Sequence, residues 1–281
     1  MSLFITSLNS GSNGNCYYIG NDKEAVLVDA GISCREIESR MKRLGLQMQK
    51  LKAVFVSHEH NDHIKGIHTL VKKHQIPVYI TDATKRHGRL NLQRDLVRSF
   101  AAHEPVAIGD LLIKAFPKLH DATDPYSFII SCKDVTVGVF TDIGSPCQHV
   151  IKHFQQCHAA FLEANYDEIM LDQGNYPYVL KARIRGGKGH LSNKQALDLF
   201  LNYRPAFMTH LFLSHLSKNN NCPKLVEKLF NDYAGGVKTL IASRYHETSL
   251  FHIQQPEKII LHEAIIPQVS VSYKQLAFSF A

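Results

Sequence analysis

Three imidazoles and two carboxylates fall within six residues, His58-Glu59-His60-Asn61-Asp62-His63, directly after the apolar stretch Val54-Phe55-Val56-Ser57. Imidazole nitrogens and carboxylate oxygens are ligands for borderline divalent metals. If the apolar stretch is a buried strand and the cluster its terminal loop, alternation aims His58 and His60 the same way. Asp62 and His63 are then left to turn toward a second point. One loop can feed two metals. The single-zinc helical pattern His-Glu-x-x-His is absent, because His60 follows Glu59 directly. A chain with 17 histidines also brings some together by chance on a polar surface, so the weight rests on what the later strand ends supply.

The pattern His58-x-His60-x-Asp62-His63 resembles the signature of the metallo-β-lactamase fold. The resemblance implies an α+β fold, an αββα four-layer sandwich, with two divalent metal ions per chain. His120, after Phe116-Pro117-Lys118-Leu119, would complete the first site with His58 and His60. Asp142, in Val139-Phe140-Thr141-Asp142-Ile143-Gly144, would bridge the ions, and His215, after Leu211-Phe212-Leu213-Ser214, would join Asp62 and His63 at the second. A His or Asp after a strand is commonly just solvated; the order and contexts of these three carry the assignment. Imidazoles with two carboxylates suit zinc best, while the oxygen ligands leave manganese or iron open.

Two further contexts narrow the resemblance. Phe161-Leu162-Glu163-Ala164-Asn165 places a carboxylate at a strand end, and Gly189-His190-Leu191-Ser192-Asn193 places a histidine before a helix. This order is similar to that of the ribonuclease Z group, in which such a Glu and His pair beside the metals. With Asp167, Tyr176-Pro177 and Leu180-Lys181-x-Arg183-Ile184, the context resembles the YycJ/WalJ-type bacterial proteins, from Ser10 to about Asn221. That kinship implies a nuclease, with exonuclease action on DNA from the 5′ end. Water activated by the metals would attack phosphorus, Asp62 would serve as catalytic group as well as ligand, and Glu163 with His190 would relay a proton to the leaving oxygen. His190 lies two residues before Ser192, so a plain helix-capping role is the competing expectation. There is no long insertion like the extra domain of the ribonuclease J type and no obvious ribonuclease Z exosite arm, which disfavours tRNA as substrate.

Composition bears on the rivals. The formal net charge of +7 favours a polyanionic partner such as nucleic acid, although the charge is spread and not blocked; that the partner is DNA before RNA is what the resemblance implies. Six cysteines form no Cys-x-x-Cys pair, the start lacks a signal-like segment, and no apolar run approaches about 18 residues. The expectation is a cytoplasmic chain with reduced thiols and no membrane contact; nothing speaks to oligomeric state. A small-molecule hydrolase, of the glyoxalase II thioesterase sort or a lactamase, is the first rival. An RNA-processing nuclease of the same fold is another. A non-catalytic nucleic-acid-binding protein would be expected to have lost a ligand, and none is missing.

The elements that must position these groups are legible as apolar runs. Strands are expected at Phe4 to Leu8, Cys16 to Ile19, Ala25 to Val28 and Leu51 to Val56, then Pro77 to Thr81, Leu111 to Phe116, Ser127 to Cys132 and Val135 to Thr141. Ala159 to Leu162, Phe207 to Leu213 and Val237 to Ala242 complete the set. Helices are expected at about Cys34 to Leu44, after Ile64, at Gln148 to Gln156, from the capping box Ser192-x-x-Gln195, and at Leu225 to Phe230. Asp29 ends a strand and could orient a ligand histidine. The loop Asn9 to Asn15 offers backbone N–H groups that suit either a phosphate or a plain turn, and Lys85-Arg86-His87-Gly88-Arg89 with Arg94 and Arg98 is a candidate phosphate contact. His246 is the one other histidine expected near the site. A single domain is expected over residues 1–281.

Overall fold

The computed structural model describes residues 2–255. The first half of the chain gives β1 (Leu3–Asn9), β2 (Cys16–Gly20), β3 (Ala25–Val28), α1 (Cys34–Arg43), β4 (Leu51–Phe55), α2 (Asn61–Ile64), α3 (Ile67–His74), β5 (Val78–Tyr79), α4 (Asp82–His87) and β6 (Val97–Arg98). The second half gives β7 (Pro105–Ile108), β8 (Leu111–Pro117), β9 (Tyr126–Cys132), β10 (Val135–Phe140), α5 (Gln148–Phe154), β11 (Ala159–Glu163), α6 (Glu168–Gln173), α7 (Tyr178–Arg185), α8 (Asn193–Tyr203), β12 (His210–Ser214), α9 (Pro223–Asn231), β13 (Lys238–Ile241) and β14 (Phe251–Ile253).

The strands form two sheets, ordered β14-β1-β2-β3-β4-β5-β6 and β13-β12-β11-β10-β9-β8-β7 among the described residues. Period-two alternation sorts their side chains into layers. Tyr17 and Ile19 of β2 join Phe55, Phe128 and Phe161 in the core between the sheets, while Cys16 and Tyr18 face the helices α1 and α3. In the second sheet Phe161 and Phe212 point inward, and Leu162, Leu211 and Leu213 face α5, α8 and α9. Strands covered on both faces lose the polar half of the alternation, which is why β2, β3 and β11 read as unbroken apolar runs. The result is the αββα four-layer sandwich. Phe161 stands 4.7 Å from Phe212 and 4.9 Å from Tyr17, and cutting it to alanine would cost about 3–5 kcal/mol.

β3, β4, β5 and β6 run parallel, as do β10, β11, β12 and β13, so their carboxyl ends collect at one rim. That rim is where an α/β sheet presents its ligand site. The strand expected from Phe207 begins instead at His210, because Phe207 is 38% exposed and lies within a turn closed by the Met208 N–H donating to the Pro205 carbonyl. α6 and α7, inserted between β11 and α8, had no counterpart among the expected elements. No helix is long and apolar enough to cross a membrane among the described residues.

Candidate metal centre

Every strand-end residue singled out in the sequence arrives at this rim. β3 ends at Asp29, β4 runs into His58, β8 into His120, β10 into Asp142, β11 at Glu163 and β12 into His215. Asp29, Asp142 and His215 share a left-handed backbone, with φ of 61°, 55° and 56°. That conformation costs an L-residue roughly 1 kcal/mol or more, and clusters of it mark sites where side-chain direction matters. Gly31 permits the tight packing of the metal loop: a Cβ there would lie 1.6 Å from the Asp62 carbonyl oxygen.

Two groups of donor atoms converge. His58 Nε2 lies 3.1 Å from His60 Nδ1, which lies 3.3 Å from His120 Nε2. One proton on His60 cannot serve both neighbours, whereas a cation between the three nitrogens can. In the second group, Asp62 Oδ2 stands 3.5 Å from both His63 Nε2 and His215 Nε2. Asp142 lies between the groups, with Oδ2 3.1 Å from His63 Nε2 and Oδ1 3.8 Å from His120 Nε2. Glu59, inside the same loop, turns away and accepts from the backbone and hydroxyl of Thr123, both at 2.8 Å.

The far side of four of the five rings is held. His63 Nδ1 donates to Asp29 Oδ2 at 2.7 Å, His58 Nδ1 pairs with Ser57 Oγ at 2.9 Å, His120 Nδ1 donates to the Gly189 carbonyl at 3.1 Å, and His215 Nδ1 donates to Glu163 Oε1 at 2.8 Å. Ser57 in turn donates to Asp29 Oδ2 at 2.8 Å, so the carboxylate expected to orient one histidine steadies two. This is how proteins fix metal-binding imidazoles.

The electrostatics call for positive charge. Burial works against ionising Asp142, yet His215, His63 and Lys118 hold its carboxyl well below the usual range. Burial likewise works against a charge on His63, but Asp142, Asp29 and Asp62 drive its pKa well above the ordinary histidine value. For His58 burial dominates, and with the neighbouring His63 it pushes the pKa well down despite the nearby Asp142. Asp142 Oδ2 and His215 Nε2 are buried without a hydrogen-bond partner. Divalent cations fit this donor set, and divalent metal binding follows from the fold and the His/Asp cluster together.

Glu163 is fully buried and all its lone pairs are engaged. Oε1 accepts from His190 Nδ1 and His215 Nδ1, both at 2.8 Å, and Oε2 from the N–H groups of Ile143 at 2.7 Å and Leu191 at 3.2 Å. Burial would raise its pKa, but His190 and His215 lower it to about 2. His190 does not cap α8. Ser192 and Gln195 form that capping box themselves, and His190 turns to the cavity above the donor atoms. The cavity, of about 290 Å³, is also lined by Asp121, Tyr176, Leu180 and Arg183, with Arg183 paired to Asp121.

Several contributors had no sequence signal of their own. Asn15 Nδ2 lies 3.1 Å from both Asp62 Oδ2 and His63 Nε2, Ser10 Oγ accepts from the His215 N–H at 2.7 Å, and Asn165 Nδ2 donates to the His215 carbonyl at 2.8 Å. Thus the Asn9 to Asn15 loop works through its side chains on the metal-side residues. Lys118 is buried with Nζ donating to the Thr141 carbonyl at 2.7 Å, and burial lowers its pKa. Of the basic stretch, α4 ends at Gly88, which packs on Glu59 and Ile64, while Arg98 bonds the carbonyls of Asp95 and Val97. His246 is absent from the metal cleft and lines a neighbouring cavity.

A family model described as a beta-lactamase superfamily domain matches residues 24–215. The exodeoxyribonuclease YycJ of Bacillus anthracis is 32% identical over 228 residues, covering 80% of this chain and 86% of that one. The exodeoxyribonuclease WalJ of Streptococcus pneumoniae serotype 2 is 30% identical over 225 residues, covering 78% of this chain and 83% of its own length. Among solved structures, the metallo-beta-lactamase fold protein YhfI of Bacillus subtilis superposes with a TM-score of 0.70 at 18% identity, covering 90% of this chain and all of that one.

Proposed function

This chain belongs to the beta-lactamase superfamily, and from that premise we propose that it is a two-metal phosphodiesterase that cuts DNA as an exonuclease from the 5′ end. His58, His60 and His120 would hold one ion, Asp62, His63 and His215 the other, and Asp142 both; zinc suits the set best, with manganese or iron as alternatives. When bound, such ions acidify a water to near neutrality and draw off charge that builds on a phosphodiester. The observation that carries this reading is the pairing of converging donor atoms with a Glu163–His190 contact of 2.8 Å on the same cavity. The named activity of the YycJ and WalJ relatives supports the choice of DNA. Residues 1–281 are read as one domain, of which residue 1 and 256–281 lie outside the described residues.

The protein's own groups divide the remaining work. Glu163 accepts from four donors at once, so within the expected Glu163–His190 pair its part is to position the imidazole. It fixes His190 through Nδ1, leaving Nε2 to face the cavity and hand a proton to the leaving oxygen. It also fixes His215, tying the acid to the second metal position. Asp29, Ser57 and Gly189 hold the rings of His63, His58 and His120 against rotation.

Digestion of end-labelled single- and double-stranded DNA and RNA, with zinc, manganese or iron restored in turn, tests the proposal. Release of short products from the 5′ end of DNA is expected. Intact nucleic acids beside turnover of a thioester or nitrocefin would award the site to the small-molecule rival.

A further inference from the structure

A second cavity, of about 540 Å³, opens beside the metal cleft at the carboxyl ends of β12 and β13 and the first turns of α9. The two share Ser217 as a common wall, and Ser10, whose hydroxyl accepts from the His215 N–H, lines the larger one. The segment Leu240-Ile241-Ala242 lines it with an apolar wall, and its rim carries Lys218, Lys224 and Arg244 against the single acid Glu227. The Lys and Arg ion pairs of the described residues involve Lys23, Arg40, Arg43, Lys73, Arg183 and Arg185, so none neutralises these three cations. Arg244 Nη2 reaches Ser12 Oγ at 3.4 Å, and Ser12 lines the metal cleft. One guanidinium therefore spans the boundary between the two cavities. The exposed ring of Tyr245 stands beside it.

We propose that this cavity is a nucleotide subsite: it binds the nucleotide adjoining the bond that is cut, base against the apolar wall and phosphates among Lys218, Lys224 and Arg244. Its volume lies within the roughly 300–1,000 Å³ of small-molecule sites. An apolar wall beside cations that form no ion pair among the described residues matches a flat base joined to phosphate better than it matches an apolar peptide or a free anion. Continuity with the metal cleft selects a neighbouring unit of the same strand over an independent ligand. The assignment rests on the phosphodiesterase reading and adds to it where the strand is gripped beyond the scissile bond.

The test uses the metal-loaded full chain and compares a DNA oligonucleotide with bis(p-nitrophenyl) phosphate, a phosphodiester without a nucleotide. Lys218→Glu/Lys224→Glu is expected to lower kcat/KM on the oligonucleotide at least tenfold more than on the small diester, mainly through KM. A deoxynucleoside monophosphate should inhibit the wild type at least tenfold more tightly than inorganic phosphate, and the double variant should lose that margin. Equal losses on both substrates with no such margin, in a wild type that cuts DNA, would overturn the subsite and leave the phosphodiesterase standing. A wild type that cuts neither substrate overturns the phosphodiesterase reading and the subsite with it.

Discussion

Two groups of histidines in this molecule differ in what stands behind the rings. At the strand ends, His58, His63, His120 and His215 each have Nδ1 fixed by a hydroxyl, a carboxylate or a carbonyl, and their Nε2 atoms converge. His103, His149 and His153 also meet, but as packed aromatics: His103 lies tilted 4.9 Å from His149 and stacks at 5.9 Å on His153, which also stacks on Phe116 at 4.3 Å. Both His153 nitrogens are buried without partners. Burial, then the neighbouring His103 and Lys114, pushes its pKa down to about 4. Carboxylates beneath the rings separate a candidate metal site from a packing cluster; histidine number does not.

The largest expected effect breaks the first group at its centre. Asp142→Ala should lower phosphodiester turnover by about 1,000-fold, the scale of several kcal/mol of charge stabilisation, and reduce bound metal as read by elemental analysis. Next, His190→Ala should lower turnover on DNA by roughly 100-fold or more with metal and fold retained, and should lose less on a p-nitrophenolate leaving group that needs no proton. Glu163→Gln sharpens that contrast. Because Glu163 carries His215 as well as His190, this variant should also release metal, which His190→Ala should not; metal content after gel filtration checks both.

The supports come next. Asp29→Asn should weaken metal affinity by roughly 10- to 100-fold, read by competition with a chelator. The smallest effect belongs to the packing cluster, where His153→Phe should leave metal content and turnover as they are. His153 is held neutral in the folded chain, with a pKa of about 4, while the unfolded chain takes up its proton near 6.5. The wild type therefore loses stability as pH falls from about 6.5 to about 4, by about 3 kcal/mol at most, with no contribution above that window. Thermal melting across this range should show a shallower decline for His153→Phe.

The contrast also explains what the sequence made legible. The metal-side residues stand out because each follows an apolar run whose burial is written in its composition, and a strand end has a direction. Asn15, Ser10 and Asn165 carry no such mark: a small polar residue in a loop reads the same whether it holds His215 or a turn. α7 was illegible for a related reason, since none of its residues is buried and so no apolar stripe records it. β14 is three residues long and pairs with β1 from 246 to 250 positions away, beyond any local pattern. The His153 ring against Phe116 is packing.

Elemental analysis of the metal-loaded chain, run beside a variant with His103, His149 and His153 all replaced, tests the central claim most directly. About two equivalents of divalent metal per chain are expected in both proteins, and one or fewer in Asp142→Ala. A wild type that holds one equivalent or fewer, or a loss of metal on replacing the stacked histidines, would contradict the two-metal account.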